Sequence, residues 1–132
     1  MPFIRITVFG PTLSVQHIER LQQGTTDLMG SVMRKPLQGT SVLVEQVGQG
    51  GWRIAGEPVG AAAHVDVVIG KDTNRTADIA QFMSRMMKLL RSVVGRELRD
   101  ETYIVVHEMD ATTYGRGGLS RAERDRERER AT

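Results

Sequence analysis

The sequence predicts an α+β fold: a two-layer α/β sandwich in which tandem β-α-β units build a four-stranded sheet with two helices on one face. Three observations lead there. Apolar residues alternate at period two in four short stretches, the mark of half-buried strands. They recur at spacings of three and four in two longer stretches, the mark of amphipathic helices. The order strand, helix, strand, glycine-rich loop is then written a second time, 61 residues further on.

The first strand is read in Pro2-Phe-Ile-Arg-Ile-Thr-Val-Phe9, with Ile4, Ile6 and Val8 on one face, and Gly10-Pro11 ends it. Ser14 can cap a helix bearing Ile18, Leu21, Thr25, Leu28 and Val32. That helix is expected to stop near Lys35-Pro36, because proline restricts the residue before it. A second strand runs over Thr40-Ser-Val-Leu-Val-Glu-Gln-Val47, and a glycine-rich loop around Trp52, the single tryptophan, closes the unit at Gly56. In the second copy Val65, Val67 and Ile69 take the places of Ile4, Ile6 and Val8. Ile79, Phe82, Met86, Leu89 and Val93 take those of the five helix positions. Tyr103-Ile-Val-Val-His-Glu-Met109 is the fourth strand, and Tyr114-Gly-Arg-Gly-Gly118 echoes Trp52-Arg-Ile-Ala-Gly56.

Each helix, at about 18 residues, is long enough for a crossover between parallel strands. The expected divisions are residues 1–60 for the first unit, 61–120 for the second and 121–132 for a charged tail, all within one structural domain. Two helices shield one face of a four-stranded sheet, so the other face needs cover. Val44 and Val106 alternate in their strands, and self-association is the expected cover.

Composition narrows the function classes. The chain has 132 residues and a formal net charge of +2. It contains no cysteine, which excludes disulfides, thiolate metal sites and thiol nucleophiles. No apolar run approaches the roughly 20 residues needed to cross a bilayer, and the N-terminus lacks the pattern of a secretory signal, so a cytoplasmic location is the expectation. In the tail from Ser120 to Arg130, arginine alternates with glutamate and aspartate. The signs nearly cancel, whereas a nucleic-acid ligand wants an uncompensated basic stripe, so such binding is not expected. His17 and His64 have no ligand spacing and no metal site is expected; His107 and Glu108 are neighbours in a strand and point to opposite faces.

The opening Met-Pro2-Phe-Ile-Arg-Ile, the β-α-β unit of about sixty residues, and the aromatic-x-x-x-Gly loops at Trp52 and Tyr114 together resemble the 4-oxalocrotonate tautomerase group of the tautomerase superfamily. The resemblance spans residues 2 to about 120. It implies a cofactor-independent isomerase in which Pro2, freed by removal of Met1, is the catalytic base. It also implies a homotrimer, because chains with two fused units assemble that way, and one amino-terminal proline per chain, since Ala63 or its neighbour stands at the matching place in the second unit.

The chemistry fits such a proline. An amide nitrogen is neither basic nor nucleophilic, whereas a free N-terminal proline is a secondary amine on a rigid ring. Burial and nearby cations favour its neutral form. A neutral amine can take a proton from carbon beside a carbonyl and return it elsewhere. The implied substrates carry carboxylates, so cations are needed to hold them. Here the sequence departs from the type enzyme: Thr12 and Leu13, and then Ser41, stand where arginines are usual. Tyr103 occupies the position matching Ser41 in the second unit and is a candidate pocket wall or hydrogen-bond donor. The loop Lys71-Asp-Thr-Asn-Arg75-Thr-Ala-Asp78 resembles that of the cis-3-chloroacrylic acid dehalogenase branch, which suggests Arg75 and Lys71 as substitute cations. Arg116 is another, and Trp52 and Tyr114 match the family's aromatic wall. The dehalogenases, however, would want an acid before Tyr114, where Thr113 stands, and a histidine near Met29. Dehalogenase- or decarboxylase-type chemistry, or a non-catalytic trimeric protein of the same fold, are therefore the alternatives to a tautomerase.

Overall fold

The computed structural model describes residues 2–131. Strand β1 (Phe3–Phe9), helix α1 (Val15–Ser31) and strand β2 (Ser41–Gln46) form the first β-α-β unit. Strand β5 (Ala62–Gly70), helix α2 (Thr76–Val94) and strand β6 (Tyr103–Met109) form the second. Each is followed by a short hairpin, β3 (Arg53–Ile54) with β4 (Glu57–Pro58) and β7 (Gly115–Arg116) with β8 (Leu119–Ser120). Residues 121–131 form a third helix, α3 (Arg121–Ala131).

The sheet order is β2-β1-β5-β6. Strands pair in parallel within each unit, β1 with β2 and β5 with β6, while the two units meet antiparallel along β1 and β5. Phe3 pairs with Val68 and Phe9 with Ala62, so the start of one unit lies beside the finish of the other unit's first strand.

The alternation in the strands decides which residues go inside. Ile4, Ile6, Val8, Val65, Val67 and Ile69 are at most 1% exposed and pack beneath the two helices with Leu21, Met29, Phe82, Met86 and Leu90. Burying six such side chains at roughly 1.5–3 kcal/mol each is the main force joining the layers. Val44 and Val106 also pack against this core, so they do not belong to the uncovered face. That face carries the other parity: Phe3, Leu43 and Tyr103 are 41%, 39% and 66% exposed. Within α2 the buried position is Leu90, with Leu89 half-buried, because the stripe follows the true helical pitch past the assigned spacing.

Helix α1 starts as its sequence predicts. The Ser14 hydroxyl accepts from the His17 backbone N–H at 3.1 Å, and His17 Nδ1 lies 3.4 Å from the Ser14 N–H. It ends four residues earlier than Lys35. Arg34 turns into the left-handed region at φ 57, and the Lys35 N–H bonds back to the Met29 carbonyl at 2.8 Å. The chain thus closes the helix with its own backbone before proline can act. Among the described residues, no helix is long and apolar enough to cross a membrane.

Candidate active site

Pro2 is buried and lies one step beyond the Phe3–Val68 pair, beside Ile69, with its carbonyl accepting from the Ser41 N–H at 3.2 Å. Because β1 and β5 are antiparallel, everything that follows β5 gathers at this end of the sheet. So does everything that follows β6, which runs parallel to β5, and the loop that leaves α1 for β2.

The segment after β5 turns back on itself before α2. Thr73 Oγ1 donates to the Gly70 carbonyl at 2.6 Å and accepts from Lys35 Nζ at 2.7 Å. Asn74 Nδ2 donates to the Met33 carbonyl at 3.0 Å, tying the loop to the end of α1. Arg75 is the N-cap of α2, and its guanidinium reaches Asp78 at 3.2 Å. Asp78 is buried and also accepts from the Arg75 backbone N–H, a bond that holds its carboxyl below the usual range, helped by the guanidinium and Asn74. Arg34 stands 3.8 Å from the same carboxylate. Burial lowers the pKa of Lys35, the charge of Arg121 lowers it further, and Asp78 partly opposes both.

After β6, the Lys71 N–H bonds the Met109 carbonyl at 2.8 Å, and the chain turns at Asp110. The carboxylate of Asp110 accepts from the Thr112 hydroxyl at 2.6 Å and its N–H at 2.9 Å, which depress its pKa. Tyr114 follows, half-buried, its hydroxyl 3.3 Å from Arg121 Nη1.

Of the residues singled out from the sequence, Pro2, Lys71, Arg75 and Tyr114 thus belong to one end of the molecule, and Arg116 lies in the hairpin that follows there. Lys71, Arg75 and Arg116 are exposed. Trp52 and Tyr103 fall elsewhere within the chain. Tyr103 pairs with His64, five residues back along β5 from Ile69, roughly 17 Å at the usual strand rise. Trp52 follows β2 at its Gln46 end, beside Val8. Met29 is in the core and Thr113 donates its hydroxyl to the Asp110 carbonyl, so neither position supplies the acid or histidine of the dehalogenase pattern.

Two cations escaped the sequence reading, Lys35 and Arg121. Lys35 looked like a helix stop. Arg121 stood in the charged tail, although Ser120-Arg-Ala-Glu123 is a helix-start signature and forms one: Ser120 Oγ accepts from the Glu123 N–H at 3.1 Å while Glu123 Oε1 accepts from the Ser120 N–H at 3.2 Å.

The opposite end of the sheet is built differently. Ala61, Ala62 and Ala63 are at most 1% exposed, Gly10 takes φ +124 against the Gly60 carbonyl, and Leu13 is buried in the core. Where the second unit offers Lys71 to Arg75, the first offers Gly10 to Ser14, without a charge. On the helix-free face, Asp66 bonds His107 Nε2 at 2.9 Å and His64 Nε2 at 3.1 Å. Burial would raise the Asp66 pKa, but these two partners outweigh it and leave it lowered. His107 therefore finds its carboxylate across the strands and not in its neighbour Glu108. Among the described residues, no group of three or more His, Asp or Glu side chains is arranged to hold a metal ion.

The fold is a tandem β-α-β sandwich with a buried proline at the head of its first strand. Residues 2–62 match the family model described as the tautomerase enzyme. None of the curated proteins matches the chain. Solved structures do. A macrophage migration inhibitory factor-like protein from Entamoeba histolytica superposes with a TM-score of 0.68 at 17% identity, over 90% of this chain and 97% of that one. Pt0534 inactivated by 2-oxo-3-pentynoate gives 0.76 at 17% identity, over 91% and 96%. A fused 4-OT, Q0, solved as a symmetric trimer, gives 0.73 at 16% identity, over 92% and 98%. Residues 2–62 thus match the tautomerase family, and the whole chain shares the fold of these solved structures.

Proposed function

We propose that this protein is a cofactor-independent tautomerase, an isomerase that moves a proton within a small carboxylate-bearing keto or enol acid, with Pro2 as general base. The single observation that supports it best is the burial of Pro2 at the end of the sheet that also holds Lys71, Arg75 and half-buried Lys35. Burial and positive charge both disfavour an ammonium, so a processed Pro2 amine would be held towards its neutral, proton-accepting form. Neutral Pro2 takes a proton from the carbon beside the substrate carbonyl and returns it to the other end of the enolate. Lys35, Lys71 and Arg75 neutralise the carboxylate and the charge that develops on oxygen. Tyr114 walls the site and keeps water out. The fused 4-OT structures are trimers by their own description, and we take the helix-free face with Phe3 and Leu43 as the surface on which this chain forms a homotrimer. In such a trimer Trp52, Tyr103 or Arg116 of one protomer would serve the Pro2 site of the next.

The reading requires Pro2 to be the processed terminus; Met1 itself lies outside the described residues. Intact mass should show a chain lacking Met1. Replacing Pro2→Ala should then lower kcat/KM on phenylenolpyruvate and 2-hydroxymuconate at least about 100-fold, the usual worth of a positioned acid–base group. Retained Met1, or equal rates for the two proteins, would sink the proposed base. One observation favours a second reading, a non-catalytic trimeric member of the fold: Arg75 already spends its guanidinium on Asp78. That reading predicts no turnover despite a free proline.

A further inference from the structure

The last helix does more than trail from the fold. Its first turn is fixed to the loop and hairpin that follow β6: the Arg121 N–H bonds the Tyr114 carbonyl at 3.0 Å and the Ala122 N–H bonds the Ala111 carbonyl at 2.9 Å. Arg124 clasps the Arg116 carbonyl through Nη2 at 2.9 Å. The turn so held lays the Arg121 guanidinium against Gly70, the residue just beyond the one that flanks Pro2.

Gly70 is made for that contact. Its backbone is not in the left-handed region, so conformation does not demand glycine there. Space does. A Cβ at this position would run into Arg121 Nη1 and stand 2.8 Å from the Tyr114 hydroxyl. On its other side the Gly70 carbonyl holds Thr73, and through it Lys35. Two cations distant in sequence therefore meet at one glycine, and the charge of Arg121 helps lower the pKa of Lys35.

Their neutralisation is incomplete. Arg121 Nε has Asp125 at 3.6 Å, but Asp125 is also bound by Arg128. Lys35 feels Asp78, which already serves Arg75 and Arg34. Asp125 is thus shared by Arg121 and Arg128, and Asp78 by Arg75 and Arg34. A half-buried pair of like charges such as Lys35 and Arg121 is what a substrate anion would relieve.

We propose that Arg121, carried by α3, is a substrate-binding residue of the Pro2 site, and that it grips the carboxylate with Gly70 left bare to admit its guanidinium. The idea rests on the tautomerase reading for the name of the substrate, though not for the existence of the anion site. Arg121 donates from its outward edge to the carboxylate oxygens, while Tyr114 fixes Nη1. Helix α3 is then a wall of the site.

The test uses the full chain and malonate as probe, with malonamide as its uncharged counterpart, followed by calorimetry. Arg121→Gln should weaken malonate binding about 10-fold or more, the worth of a hydrogen bond to a charged group. Arg121→Lys should recover part of it. Gly70→Ala, which keeps every charge but displaces the guanidinium, should weaken it similarly. Arg130→Gln, the same change of charge at an exposed position, should leave it alone, and malonamide should be indifferent to all four. With phenylenolpyruvate, Arg121→Gln should raise KM by a similar factor and leave kcat within about twofold. Unchanged malonate affinity in Arg121→Gln overturns the proposal; if that variant melts early, unchanged affinity in Gly70→Ala does so. The outcome is separate from that of Pro2→Ala. A Pro2→Ala protein with full activity would remove the base and leave the anion site standing, and loss of malonate selectivity alone would not touch Pro2.

Discussion

At the scale of single residues the site is a contest between desolvation and use. Lys35 is held half-buried, hydrogen-bonded to Thr73 and repelled by Arg121, and its pKa is lowered. A lysine whose folded pKa lies below its unfolded value binds its proton less tightly in the folded protein. Stability therefore rises with pH between the lowered pKa and the usual alkaline value, and the charge is a burden below that window. Lys35→Met should raise the melting temperature at pH 7 by about 1–3 °C while weakening malonate binding. A melting temperature that falls would show that the bond to Thr73 outweighs the desolvation. Asp66 behaves in the opposite sense. Its lowered pKa adds stability above the ordinary carboxylate range and loses it as acid protonates the group, so His64 and His107 cannot hold it at low pH.

At the scale of elements, α3 depends on its start. Its later turns are exposed and balanced in charge, while the capping pair Ser120–Glu123 and the clasps to the loop and hairpin hold its first turn. Ser120→Ala should cost roughly 1 kcal/mol locally, seen as faster amide exchange over residues 121–124 and a raised KM; exchange equal to wild type would show that the clasps suffice without the cap. The strands and the two long helices were legible because burial on one face forces periodicity, so Ile4, Ile6, Val8 and their counterparts 61 residues later announce themselves. The helix stop was missed because Arg34 closes α1 through a left-handed turn, which no glycine marks. Lys35 and Arg121 were missed for a different reason: antiparallel packing between β1 and β5 brings them to the Pro2 end, and no local pattern records which loops that packing brings together. The Ser-x-x-Glu signature did record that a helix begins at Arg121.

At the scale of the whole molecule, the two units share a plan but not an outcome. One end of the sheet gathers Pro2, Lys35, Arg75, Tyr114 and Arg121, and the other is sealed by alanines, Gly10 and Leu13. The helix-free face leaves Phe3 and Leu43 exposed beside the polar group of Asp66, His64 and His107. Leu43→Glu should convert the proposed trimer to monomers in sedimentation, since an unpaired charge in an apolar interface centre costs several kcal/mol. A trimer that survives it would place the contact elsewhere. Docking of α3 beside Gly70 also joins parts of the chain that lie far apart in sequence. A product cut before Arg121 would keep both β-α-β units and their core yet lack the guanidinium that α3 lays on Gly70.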